Sequence, residues 1–264
     1  MTALLAPLSM PDGLGMTDGL VGILLRYTHI LAGIVWIGML YFFNLVNVNF
    51  QKEMTASLDP KSNHTQFTKL MPCALWWFRW GAMVTWLSGV IYYIMYMGAT
   101  GATGEAWPWW KVFLTWFVIA VVAWYACRFT IETFADKKST PEAKAADQGM
   151  MVGIIEAIIA LAMFAGFYFT FGNHVDGHVF FIACGGGLGT IMFMNVWMII
   201  WPKLRQVIAW REQFLKDGTA VPPEGGKLAR RAFLASRTNT WFSIFLLLLM
   251  VLAGHGALFW TFNK

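Results

Sequence analysis

Four of the five histidines in this 264-residue chain stand in or beside long apolar runs, where an imidazole is costly unless it is used. In "RYTHILAGIVWIGMLYFFN", residues 26–44, Arg26, His29, Gly33 and Trp36 recur at i, i+3, i+7 and i+10, one face of a helix. A glycine one turn from a histidine leaves a flat notch that admits a planar ligand. A cation such as Arg26 would pair with a carboxylate at the membrane surface. Those are the needs of a b-type haem: an imidazole on iron, a small residue against the ring and a cation for a propionate. His255, in the last apolar run, and His178, preceded by His174 in "GNHVDGH", are the other candidate ligands. Two imidazoles on one iron need ring nitrogens about 4 Å apart, at roughly 2 Å per metal–nitrogen bond, so His29, His178 and His255 cannot all be axial ligands. His29 is expected to pair with His255 or His178, the unused one serving a propionate or a second metal. Copper or zinc also suits imidazole. Asp176 reads as a loop residue, however, and Glu105 as interfacial, which leaves no carboxylate at that depth. The plainer use of one intramembrane histidine is an interhelical hydrogen bond; three on three helices favour haem.

A second polar group comprises Asn44, Asn47, Arg79, Asn195, Arg237 and Asn239, with Trp80 and Trp197 beside them in sequence. Helix capping and snorkelling account for much of such a set. Amides and guanidinium groups next to indoles are also what a flat, anionic heterocycle needs. Arg79, Asn195, Arg237 and Asn239 are therefore the candidate substrate-binding residues. Glu156, inside an apolar run, is a candidate proton carrier; pairing with Arg79 or a core hydrogen bond are its alternatives.

The elements that must position these groups are membrane spans. The chain is 58% hydrophobic and 12% charged, against about 25% charged in soluble domains. Its mean hydropathy is +0.57. Six apolar segments, near 20–48, 74–98, 108–132, 149–172, 176–201 and 239–262, reach the roughly 20 residues that cross a bilayer core. The expected fold is an all-α bundle of six spans forming a single polytopic domain over 1–264, in a bacterial inner membrane. Residues 1–19, with Pro7 and Pro11 and no basic stretch, read as an interfacial tail and not a cleaved signal.

Fifteen of the nineteen lysines and arginines fall in the stretches 51–72, 128–148 and 202–237, the last read as a basic cytoplasmic loop. Arg26, Lys111 and Lys264 lie on the other side, and Arg79 lies within a span. The positive-inside rule then makes the chain N-out and C-out. On that topology His29 lies roughly 13 Å and His255 roughly 10 Å below the outer surface, at 1.5 Å per residue. His64 alone is cytoplasmic. The pI near 9.2 reflects this topology, not a nucleic-acid partner. Trp107, Trp109 and Trp110 mark the outer interface, and Trp76, Trp77 and Trp201 the inner.

Cys73, Cys127 and Cys184 are far apart, so no disulfide is expected, and the absence of C-x-x-C-H excludes a covalent c-type haem within these residues. Nucleotide-loop, zinc-protease and serine-hydrolase motifs are absent. Gly185 and Gly189 have the spacing of close helix packing.

"THILAGIVWIGMLYFFNLVN", "GTIMFMNVWMIIWPK" and "ASRTNTWFSIFLLLLMVLAGH" resemble the membrane domain of the bacterial membrane-bound urate oxidase (urate hydroxylase) family, over nearly the whole chain. The pairing of N-V-W-x-x-I-W-P with S-R-x-N-T is the more specific part. H-x-x-x-G-x-x-W-x-G also recurs in copper-resistance D proteins and the membrane protoporphyrinogen oxidase. The resemblance implies oxidation of urate, or a related purine, to 5-hydroxyisourate, with electrons passing to a cytochrome c domain after the last span. Without that domain's motif here, a separate periplasmic cytochrome c or other acceptor is the expected partner. The alternative is a non-catalytic subunit, haem-carrying or structural, of a larger respiratory or photosynthetic complex. Its partners would then be the bilayer, other subunits or a second copy.

Overall fold

The computed structural model describes residues 19–100, 103, 105–136 and 142–255. The expected interfacial tail lies outside the described residues except for Gly19, as do Lys137, Lys138, Lys264 and the expected end of the sixth span. The elements are α1 (Leu20–Tyr41), α2 (Val48–Ser57), α3 (Pro60–Thr100), α4 (Trp109–Asp136), α5 (Glu142–Thr170), α6 (Gly177–Met194), α7 (Trp201–Asp217) and α8 (Glu224–Ala253). Two π-helical segments, Phe42–Asn47 and Asn195–Ile200, join α1 to α2 and α6 to α7 without breaking the helical path. Six helices are long and apolar enough to cross a membrane.

Ile34, Phe129, Leu161 and Phe169 stand on the outside of the bundle, each more than 60% exposed. Such side chains face outward when the surrounding solvent is hydrocarbon. The helices nevertheless run past their apolar stretches. The segment 202–237 is mostly α7 and the start of α8, joined by a short turn. Hydropathy detects only the lipid-spanning part of a helix, whereas backbone hydrogen bonding continues into water. Local chemistry sets the ends. Asp59 accepts the Ser62 amide at 3.1 Å and the Ser62 hydroxyl at 2.6 Å just before Pro60 opens α3. Those bonds hold the Asp59 carboxyl below its usual range. At the end of α7, Gly218 takes φ +79°, a left-handed cap that suits glycine, and donates its amide to Phe214.

α6 runs through the middle of the bundle, and its glycine run explains how. A Cβ at Gly185 would meet Met250 of α8 at 2.6 Å, one at Gly186 Trp116 of α4 at 3.3 Å, and one at Gly187 Met163 of α5 at 2.9 Å. Each glycine thus admits a different neighbour, and Gly189 adds a second close approach by α8 through Leu246. All three cysteines are free. Of the tryptophans expected at the interfaces, Trp76, Trp77, Trp109 and Trp110 are exposed, whereas Trp107 and Trp201 are only partly so.

A histidine-lined cavity between α1, α3, α6 and α8

α1 and α6 turn a face each toward a common space, and α3 and α8 close it. The cavity holds about 610 Å³, within the range of small-molecule and cofactor sites. Arg26, His29, Gly33 and Trp36 all line it, as the spacing on α1 predicts. His178, Ile182, Gly185, Gly186 and Gly189 line it from α6. Gly33 keeps the α1 wall flat, whereas the α6 glycines take up the close approach of α8 and α4. A Cβ at Gly33 would make only ordinary contact with Thr85, at 3.7 Å.

The two histidines are held in the same way from different elements. His29 Nδ1 lies 2.9 Å from the Thr85 carbonyl of α3, and His178 Nδ1 lies 2.8 Å from the Ala253 carbonyl of α8. A carbonyl can only accept, so each Nδ1 carries a proton, and in the neutral ring Nε2 is then the nitrogen with the lone pair. His178 Nε2 is buried and has no partner. Gly89 of α3 sits against the His29 ring, where a Cβ would come within 2.8 Å of Cε1. Tyr96 packs on the His178 ring with centroids 4.4 Å apart. Two further cavity-lining groups, the Tyr93 hydroxyl and the Trp36 indole N–H, are buried without partners. Arg26 lies over the Tyr92 ring, 5.1 Å from its centroid.

This donor set fits a planar, metal-bearing group. Ligating imidazoles usually donate their second nitrogen to a carbonyl, which fixes tautomer and ring direction, and the buried Nε2 of His178 is an orphan such a group would satisfy. Among the described residues no three of His, Cys, Asp and Glu gather as a metal cluster, so a zinc tetrahedron made of protein alone has no donors here. The third candidate is elsewhere. His255 is exposed beyond the end of α8, and its Nδ1 turns back to Val251 O at 3.0 Å. Its neighbours Ala253 and Gly254 line the cavity, but His255 is not among the lining residues. His174 stacks on Trp107 in the loop, and His64 on Phe214.

The residues of the second polar group divide. Asn195 and Asn239, both fully buried, bond to each other at 2.9 Å. Asn195 Oδ1 accepts the Trp124 indole, and Asn239 Nδ2 donates to Met192 O. Asn44 donates to Leu40 O and Ser236. These amides act as ties between helices. Arg79 lies 3.9 Å over the Trp201 ring and 5.7 Å from the Trp80 and Trp197 rings, with its Nε unpartnered. Arg237 packs on Phe233 and lines a separate, small cavity with Glu156. Glu156 is tied to Thr238 and not to Arg79.

Thr85, Gly89 and Tyr93 escape the sequence reading. The only trace is a patch of small and polar residues, T-W-L-S-G, within an otherwise apolar span. The carbonyls of Thr85 and Ala253 leave no trace, because every residue has one.

The sequence matches the family described as Urate oxidase N-terminal over residues 16–263. No curated protein and no solved structure matches it.

Proposed function

The chain belongs to the urate oxidase N-terminal family, and we propose that it is a multi-pass inner-membrane oxidoreductase acting on urate or a related purine. Electrons leave to a c-type cytochrome or similar acceptor on the periplasmic side. The observation that carries this is the pair of Nδ1-anchored histidines lining one cavity, one of them with a buried, unpartnered Nε2. Bound there, a b-type haem would accept and release single electrons. His29 and His178 would ligate it through Nε2, and the Thr85 and Ala253 carbonyls keep both rings in the ligating tautomer. Gly33, whose Cβ position meets only Thr85 at ordinary contact distance, would leave room for the ring on the α1 side, and the apolar walls exclude water. Arg26 would neutralise a propionate, while Tyr93 and Trp36 offer donors to other polar edges. Arg79, with its open Nε beside three indoles, is the best-furnished group for a flat anion at the inner face.

The full chain, purified in detergent, should carry a Soret band, and membranes supplied with oxidised cytochrome c should reduce it when urate is added. Absence of the band, or its survival in His29→Ala, overturns the haem site. A band with no response to urate points to the second reading, a haem-carrying or structural subunit of a larger complex. The bonds that Asn195 and Asn239 make to each other, to Trp124 and to Met192 favour that second reading, because they commit two amides to holding helices together. Stable co-purifying subunits would decide for it.

A further inference from the structure

We propose that Glu156 is a protonated relay residue that exchanges its proton with the inner aqueous phase through the small cavity between α5 and α8. Glu156 is 2% exposed, and its Oε1 has no partner. Thr238 Oγ1 lies 2.6 Å from Glu156 Oε2 and 3.0 Å from Leu234 O. A threonine hydroxyl has one proton, which cannot serve both at full strength. Both distances are satisfied together when Glu156 is the acid: its O–H donates to Thr238, and Thr238 donates to the carbonyl. An ionised Glu156 would take the Thr238 proton and leave the Leu234 carbonyl without it. The threonine rotor thus has two arrangements, one for each protonation state. Among the described residues no cation forms an ion pair with the carboxyl, and an unpaired charge at this depth is costly.

The route outward is built into the helix pair. α5 and α8 are joined by two side-chain rungs, Glu156 to Thr238 and Gln148 to Arg230. The rungs are eight residues apart on each helix, about 12 Å along the axis, so the two helices run parallel and in register. Between them α5 presents Gly149 and Gly153, and a cavity of about 30 Å³ opens, lined by these glycines, Glu156, Arg237 and Thr238. Its lining is mostly apolar, but Glu156, Thr238 and Arg237 give it polar groups, and a cavity of that size accommodates one or two waters. A water there would face the unpartnered Oε1 on one side and the Arg237 guanidinium on the other, toward the Gln148–Arg230 rung and the basic start of α8. The proton leaves Oε to that water and is regained from it, so no other reactant is required.

The groups facing Glu156 are few. Cys127 of α4 is within electrostatic reach. Thr238 and Arg237 come from α8. α6, also packed on α5, carries as titratable groups only His178 and Cys184, which belong with Tyr96 and Tyr93 at the other end of the bundle. His174 stacks on Trp107 in the loop beyond α5.

The test uses the full chain in lipid vesicles and reads no haem signal, so it stands apart from the function proposed above. Infrared spectra at neutral pH should contain a carboxylic-acid C=O band that shifts in D2O and disappears in Glu156→Gln. A Cβ at Gly153 meets nothing within 4 Å, so the side chain introduced by Gly153→Leu can enter the cavity from its α5 wall. That variant should keep the band and slow its deuterium exchange at least about tenfold, as restricted water access does. Absence of the band in wild type means an ionised Glu156 and overturns the proposal. So does its survival in Glu156→Gln, or unchanged exchange in Gly153→Leu.

Discussion

A histidine within a membrane helix has two ring nitrogens to satisfy, and His29 and His178 each spend one on a backbone carbonyl of a neighbouring helix. His255 spends its own on the preceding turn and faces outward. His178→Ala should therefore abolish the Soret band of the purified protein, whereas His255→Ala should leave it unchanged. The reverse result would move the site to the end of α8. Gly89→Ala is a finer probe. Its Cβ would press on the His29 ring at 2.8 Å, and overpacking of this kind costs about 1–3 kcal/mol. The expected outcome is a folded protein whose haem spectrum is shifted or weakened, because the ring must leave the Thr85 carbonyl. At this scale the sequence exposes His29, Gly33 and Arg26 as one face, since helical periodicity is local. It cannot tell His178 from His255 as the partner. That choice depends on a two-residue difference in where α8 ends and on which carbonyl lies opposite.

Helices in lipid are not driven together by apolar burial, because hydrocarbon solvates them equally well, so small residues and polar ties set their arrangement. The bond between Asn195 and Asn239 ties the α6–α7 junction to α8, with Trp124 of α4 joined to it. Replacing Asn239 by leucine leaves the buried Asn195 side-chain N–H without its acceptor, at about 1–3 kcal/mol. Denaturant unfolding of the purified protein should register that loss, and Asn195→Leu combined with Asn239→Leu should cost less than the sum of the two. Gly187→Leu should destabilise by about 1–3 kcal/mol through overpacking, since Met163 and Phe167 of α5 already stand within 3.0 Å of its Cβ position. The sequence marks Gly185 and Gly189 as a packing pair. Nothing in their spacing says that the glycine between them admits α5, because the partner of each face is set by the assembled bundle.

For the whole molecule, the uneven distribution of basic residues predicts that a reporter fused after Lys264 is active in the periplasm. A cytoplasmic signal there would invert the bundle and carry the histidine-lined cavity to the inner side. Activity of a reporter fused within 218–223, between α7 and α8, should be cytoplasmic by the same rule. Six helices long and apolar enough to cross a membrane, the all-α class and the family follow from the sequence alone, for the physical reason that hydrocarbon permits only internally bonded backbone and demands about 20 apolar residues for each crossing. What only the tertiary structure decides is the pairing of polar groups. His29 and His178 meet one cavity although 149 positions separate them in the chain. Asn195 and Asn239, which the sequence offers as ligands for a substrate, turn out to satisfy each other. Glu156 finds a threonine in place of Arg79. Each of these outcomes depends on which helices lie side by side and at what height, and in a bilayer that is fixed by glycine contacts and hydrogen bonds between distant segments, which no local pattern encodes.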